Sequence, residues 1–283
     1  VKLITWNIQW GLGADGRVDL DRIVEHARRL ADFDVLCVQE VSQGYPELAG
    51  CDGSDQFAAL AALLPGYTAI DGVATDTAGG PTGRRRFGNM VFSRLPVGRV
   101  MRHLLPWPSD PKGPSMARVA IEATVEAPFG PLRVMTTHLE YYSATQRAAQ
   151  VDRLRELHRE AAADESASPP ATTKNGPFAY LPRAAAAVLT GDFNFSFDAP
   201  EYTRIQAAFD DATPPWRDAW PLAHPQTVHA PTVGLYDKIQ WPGPPLTIDF
   251  VFVSADLAAR VRELRVDTAS DASDHQPVLL ELE

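Results

Sequence analysis

An α/β fold of two packed sheets with helices on the outside is predicted by three features of the chain. Short apolar runs of strand length dominate, and Pro or Gly separates them. Amphipathic helical segments are interspersed among these runs. Both ends of the chain read as strands, and no internal repeat or linker divides the 283 residues, so one domain over 1–283 is expected.

Val1–Ile8 carries Leu3, Ile4, Trp6 and Ile8 and reads as the first strand. Leu20, Ile23, Val24, Ala27 and Leu30 then recur at helical spacing, with Asp19 placed to cap the start. Asp34–Val41 is a short apolar run ending in acid, the pattern of a buried strand. A helix is expected from about Asp55 to Leu64. Met90–Ser93, Val97–Leu105, Ala117–Val125 and Leu132–Thr137 follow as strands. Ser143-Ala-Thr-Gln146 matches a capping box, opening a helix to about Ala163. Glu165–Pro182 reads as a mobile polar loop, and Ala184–Thr190, Thr247–Ser254 and Gln276–Leu282 as the remaining strands. Asp210–Pro245, rich in Pro and holding Trp216, Trp220 and Trp241, reads as a long functional loop.

Composition narrows the function classes. Apolar residues make up 45% of the chain, enough for a sizeable core, yet no run approaches the roughly 18 residues of a membrane span. A soluble protein is expected, cytoplasmic rather than secreted. The two cysteines, Cys37 and Cys51, form neither a disulfide framework nor a thiolate zinc site. The net charge of −10, from 26 basic and 36 acidic residues, lacks the basic footprint of a duplex-DNA binder, although a bound cation would offset clustered acids. The one basic cluster, Arg84-Arg85-Arg86, reads as a solvated loop in preference to a phosphate contact.

Several apolar runs stop at a residue that can do chemistry. The first strand leads to Asn7, the second to Glu40 and Leu132–Thr137 to His138. Val188-Leu189-Thr190-Gly191 leads to Asp192 and Asn194, and Thr247-Ile248 to Asp249. Ser273-Asp274-His275 precedes the last strand. Taken singly, each is an ordinary cap, turn former or surface acid. Together they offer hard oxygen donors without the ligand set of structural zinc, which suits Mg²⁺. Glu40 and Asp274 suit the carboxylate role, with Asn7 as a neutral helper. Two histidines among acids and amides suit phosphoryl chemistry. If the chain stays extended past Asp192, Asn194 points the same way, while Phe193 anchors in the core and Gly191 permits a close approach.

Thr5-Trp6-Asn7, Val38-Gln39-Glu40, Gly88–Arg94, Thr137-His138-Leu139, Gly191-Asp192-Phe193-Asn194, Ile248–Ser254 and Ser273–Val278 resemble, in order, the motifs of the endonuclease/exonuclease/phosphatase superfamily. That resemblance runs from Thr5 to Val278. It implies the deoxyribonuclease I-like fold, a four-layer α/β/β/α sandwich of two packed mixed sheets, with a metal-dependent phosphoesterase site where strand ends meet. It further implies Glu40 as the principal Mg²⁺ ligand, Mn²⁺ being the alternative ion, with Asn7 and Asp274 completing or supporting the site. Asp192 would orient or deprotonate the attacking water, and Asn194 would position water or phosphate. Asp249 would hold His275 in one tautomer, His275 would contact the phosphate or shuttle a proton, and His138 would stabilise the transition state. Asp192 and the Asp249–His275 pair stand as rival bases. Asn89 and Arg118 read either as polar supports of the site or as a strand-edge amide and a surface arginine.

The implied substrate is a phosphate ester, with single-stranded nucleic acid and small molecules both open. A phosphodiesterase is the leading reading, ahead of a phosphomonoesterase acting on a sugar, lipid headgroup or nucleotide, and of a silent binding module. Tyr141 and Tyr142, with the Trp216–Trp241 segment over the same rim, would stack on a ring or pack the loop. His224 and His229 read as loop packing, and oligomeric state is left open.

Overall fold

The computed structural model describes residues 1–79, 83–167, 176–181 and 183–283. In chain order the first strands are β1 (Lys2–Asn7), β2 (Val35–Gln43), β3 (Thr68–Ala78), β4 (Arg84–Ser93), β5 (Val97–Leu104) and β6 (Val119–Ala127). They are followed by β7 (Gly130–His138), β8 (Ala187–Asp192), β9 (Trp216–Asp218), β10 (Asp249–Ser254), β11 (Val261–Val266) and β12 (Val278–Leu282). The α-helices are α1 (Leu20–Leu30), α2 (Gln56–Leu63), α3 (Ala144–Ser166), α4 (Pro200–Gln206) and α5 (Ala219–Ala223).

The strands form two six-stranded mixed sheets, ordered β11-β12-β1-β2-β4-β3 and β5-β6-β7-β8-β10-β9. Alternation along each strand sorts side chains into layers. Leu3, Val35, Cys37 and Val91 of the first sheet meet Ile121, Val134, Val188 and Val251 of the second in an apolar layer between the sheets. The opposite face of the first sheet, with Ile4, Trp6, Leu36 and Val38, packs on Ile23, Val24 and Ala27 of α1 and Leu60 of α2. The outer face of the second sheet packs Met135, Leu189 and Phe252 on Val151, Leu154 and Leu157 of α3. This is the expected four-layer sandwich.

Helix starts follow the sequence closely. Asp19 accepts the Arg22 N–H at 2.9 Å, and Asp55 the Ala58 N–H at 3.1 Å, each satisfying a donor that the helix leaves orphaned. Ser143 likewise accepts from Gln146 N, but the reciprocal half of the capping box is not made, because the Gln146 amide donates to Pro108 O at 2.7 Å.

Three strands escape the apolar pattern, and all three lie at sheet edges: β3, β9 and β11. An edge strand with solvent on several sides needs no continuous apolar run, as the exposed Thr, Asp and Arg residues of β3 and β11 show. The segment 210–245 is not wholly irregular either, since it contains β9 and α5. Half of the loop expected over 165–182 (168–175 and 182) lies outside the described residues, as do 80–82 beside the arginine cluster; α3 itself continues to Ser166. No helix among the described residues is long and apolar enough to cross a membrane.

Candidate active site

The two parallel pairs, β1 with β2 and β7 with β8, bring their C-terminal ends to one edge of the sandwich. In the second sheet His138, Asp192 and Asp249 stand in one row on three neighbouring strands, Asp192 being in register with both others. Asn7 ends β1 opposite them, and its Nδ2 bridges the sheets, donating to Asp192 Oδ2 at 3.0 Å and Glu40 Oε1 at 3.1 Å. Beneath it, Gln39 Nε2 donates to Thr136 Oγ1 at 2.9 Å and Thr5 Oγ1 at 3.2 Å, tying the sheets together where the site begins.

Glu40 reaches the site through a break in the strand. Its φ is +64°, and the β2–β4 register shifts between Val38 and Val41. Such a bulge inserts one unpaired residue, so Val38 and Val41 both face the helices although three positions apart. A regular strand would have sent Glu40 to that apolar face. Among the described residues four non-glycines have positive φ: Gln9, Trp10, Glu40 and Asn194. All sit in or directly after the site's strand ends, where backbone strain of about 1–3 kcal/mol per residue is commonly held.

Gly191 is required by close approach. Its φ is +140°, and a Cβ there would lie 1.9 Å from Thr137 O on the neighbouring strand. Gly191→Ala is therefore expected to destabilise the fold by about 1–3 kcal/mol, read as a lower urea midpoint, and an unchanged midpoint would show that β7 and β8 separate freely. Beyond Asp192 the chain is not extended as expected. Asn194 has φ +51°, its N–H bonds Asp192 Oδ1 at 3.0 Å, and its amide donates to Leu139 O at 2.9 Å. Asp192 thus forms an Asx turn with one oxygen and turns the other into the site. Phe193 is buried in the outer layer as anticipated.

Around Asp192 Oδ2 lie His138 Nε2 at 3.5 Å and His275 Nε2 at 3.7 Å. The other nitrogen of His275, Nδ1, is 2.9 Å from Asp249 Oδ2, so the ring lies between two carboxylates. Burial works against protonation of His275, but Asp249, Asp274 and Asp192 together hold its pKa well above the usual histidine value. His138 is driven the other way, first by burial and then by the charges of Arg118 and His275. Burial also pushes the Asp192 carboxyl up; His275 opposes this, and Asp249 and Glu40 add to it. One histidine is set as cation and one as neutral imidazole, on either side of the same acid.

Asp274 lies behind this group rather than on the cleft wall. Its Oδ2 accepts the Trp241 indole N–H at 3.0 Å, and its Oδ1 the Ser273 hydroxyl at 3.3 Å. The cleft, of about 440 Å³, is lined by Glu40, Asp192, Asn194 and both histidines, with Arg118, Tyr141, Tyr142, Gln240 and Trp241 around them. Arg118 is buried, not a surface residue. Its Nε pairs with the buried Glu140 at 3.2 Å, while its Nη1 has no partner among the described residues. An unpaired buried guanidinium nitrogen on a cleft wall suits an anionic ligand. Glu140 went unnoticed in the sequence, where it stands two residues past His138. Asn89 instead bonds Val119 O at 3.2 Å and supports the strand edge.

Other expectations sort themselves by contact. Trp216 does not reach the rim: it is fully buried and stacks on His158 at 4.1 Å. Trp220 packs on His229 at 4.2 Å, and His224 bonds Leu264 O, so both loop histidines are packing groups. The arginine cluster is paired locally, Arg84 and Arg86 sharing Asp76 and Arg85 meeting Glu47.

The donor set fits a hard divalent cation. Glu40 is pushed up by burial and by the field of Asp274, with only the Asn7 amide, His275 and Arg118 opposing, and a cation beside it would relieve that cost. Asn7 is placed to support rather than dominate such a site, because its Oδ1 already accepts Gln9 N–H at 3.0 Å. A second grouping, Asp192, Asp249 and His275, has one ligand atom from each within 4.8 Å of the others. Asp249 Oδ2 is already engaged by His275 there, so a hydrogen-bonded relay accounts for that grouping without an ion.

The family model for the Endonuclease/Exonuclease/phosphatase family matches residues 4–275. The chain belongs to that family. Among solved structures, an endonuclease/exonuclease/phosphatase from Beutenbergia cavernae is 25% identical, with TM-score 0.64, matching 100% of this chain and 71% of that one. Its counterpart from Bacteroides vulgatus is 21% identical, with TM-score 0.68 and coverage of 100% and 98%. A mannosyl-6-phosphatase from Bacteroides thetaiotaomicron is 18% identical, with TM-score 0.68 and coverage of 100% and 99%. No curated protein matches the chain in a sequence search.

Proposed function

We propose that this family member hydrolyses phosphodiesters by attack of an activated water, with the help of a divalent cation. The observation that carries the reading is the meeting, in one 440 Å³ cleft, of Glu40, Asp192 and two histidines with the unpaired Nη1 of Arg118. Asp192 Oδ2, fixed by the Asn7 amide, takes the proton of the attacking water, and Asn194 lines the same wall. His275, lying between Asp249 and Asp192, is the imidazolium that donates to a nonbridging oxygen. Neutral His138 donates from the strand beside Asp192, and Arg118 holds the anion at the cleft wall. Mg²⁺ or Mn²⁺, held by Glu40 with Asp274 and Asn7 behind it, would supply charge neutralisation at the phosphate. The cleft residues suit a diester and a monoester alike, and turnover of the paired esters separates the two.

Hydrolysis of bis(p-nitrophenyl) phosphate, measured with Mg²⁺ and with EDTA, tests the reading. Turnover with Mg²⁺ that EDTA removes is the expected result, with loss of at least about 10²-fold. Cleavage of p-nitrophenyl phosphate alone would shift the assignment to a phosphomonoesterase. Silence on both would point to a binding module.

A further inference from the structure

We infer that the mouth of the cleft is a subsite for an uncharged ring attached to the scissile phosphate, with Trp241 and the Tyr141–Tyr142 pair as its walls. The inference rests on the phosphoesterase reading and adds the class of substrate. Tyr141 and Tyr142 are 50% and 64% exposed, with ring centroids 4.8 Å apart and planes at 89°. Trp241 comes from the opposite side of the cleft, and its ring meets Tyr141 edge to face at 6.3 Å. Clustered exposed aromatics on a cleft wall mark a binding surface rather than a core. Trp241 itself is half-buried, whereas Trp216 of β9 and Trp220 of α5, earlier in the same segment, are 0% and 7% exposed.

These walls are held in place before any ligand arrives. Glu140 Oε1 accepts the Tyr142 N–H at 2.9 Å, and Arg147 Nη1 donates to the carbonyls of Glu140 and Tyr141 at 2.9 and 3.0 Å. The loop bearing Trp241 is clamped where Val233 bridges both Leu246 and His275. A preset wall binds without the entropy cost of ordering itself. Trp241 is also joined to the chemistry: its indole donates to Asp274 Oδ2 at 3.0 Å, and its ring lies edge-on to His275 at 6.0 Å.

The contact between Tyr141 and Trp241 joins the two sides of the mouth. A duplex threading through needs a groove open at both ends, so the geometry points to a small ester or a chain end. Neutral walls select a ring by stacking, a nucleobase offering its π-face and a pyranose its apolar C–H face.

The test compares kcat/KM, in the presence of Mg²⁺, for the methyl diesters of glycerol 3-phosphate, glucose 6-phosphate and adenosine 5′-phosphate, and for the parent monoesters. At least one ring-bearing ester is expected to exceed the glycerol ester by about tenfold or more, and which one does distinguishes sugar from base. Tyr142→Ala and Trp241→Leu are each expected to shrink that preference toward parity through KM. Trp241→Phe, which keeps a ring but loses the indole N–H, should keep the preference and lower kcat on every ester. Circular dichroism confirms that each variant is folded. Equal use of ringed and ring-free esters, or variants that retain the full preference, would overturn the ring subsite while the Mg²⁺-dependent hydrolysis still stood. Absence of hydrolysis of every ester would overturn the phosphoesterase reading and the subsite with it.

Discussion

Asp192→Ala is expected to lower kcat about 10³-fold while leaving the melting temperature within about 4 °C of the parent. The activity loss follows from geometry, because Asp192 Oδ2 is the one atom that Asn7, His138 and His275 all face. Removing it leaves no acceptor between the two imidazoles to hold a water or take its proton. The stability change is small because two effects oppose. The variant loses the Asx-turn bond to Asn194 N, a cost of about 1 kcal/mol. It also loses the Asn7 bond to Oδ2, and against both losses stands the removal of a carboxylate that burial makes unfavourable to ionise. Saturating turnover with Mg²⁺ and a thermal melt check both halves. Full activity with a lowered melting temperature would reduce Asp192 to a turn former, the ordinary role its sequence context also allows.

The residues around this atom were legible because each ends an apolar run, and an acid, amide or imidazole at that point is a local signal. What brings them together is less local. Glu40 reads as the last residue of a strand, but its direction depends on a bulge that only the pairing with β4 reveals. Asn194 sits two residues from Asp192, and period-2 reasoning fails there because the chain has already entered a left-handed turn. Trp241 carries no signal linking it to Asp274, since that bond is set by how a loop folds back over 33 residues. The same distinction holds for the fold. Central strands, buried on both faces, declare themselves as apolar runs, whereas the edge strands β3, β9 and β11 are defined by a single neighbour. The buried cluster around Glu122 was invisible for a related reason: a lone acid in the run Val119–Val125 looks like an outward-facing residue until its partners are known.

Those partners make Glu122→Gln the substitution with the largest expected cost to stability, about 3–5 kcal/mol or roughly 10 °C in melting temperature. Arg183 grips the Glu122 carboxylate with two bonds, at 2.9 and 2.8 Å, His103 Nε2 lies at 3.2 Å, and Arg133 Nη1 at 3.6 Å. Arg133 is fully buried, and burial, helped by the charge of Arg183, brings its pKa down to about 10 although Glu122 and Glu165 oppose; Glu122 is the larger of those two counter-charges. Glutamine keeps the shape and removes the charge, leaving Arg133 without its nearest counter-charge and Arg183 with only Glu160, at 3.7 Å, among its ion pairs. Burial works against ionisation of Glu122 as well, but the bonds from His103 and Arg183 and the charge of Arg133 outweigh it and bring its pKa down from 4.5 to about 2. A carboxyl whose folded pKa is depressed contributes stability above its unfolded value and loses it as pH falls toward the folded one. The contribution, about 3 kcal/mol, is therefore complete above pH 4.5 and gone below pH 2. Urea unfolding of parent and variant at pH 7 and pH 3 separates this electrostatic cost from a packing defect. The gap between them should shrink by about half or more at the lower pH, because the parent is then losing the same charge that the variant lacks. A gap of equal size at both values would mean that the amide disturbs packing and that the ion pairs contribute little.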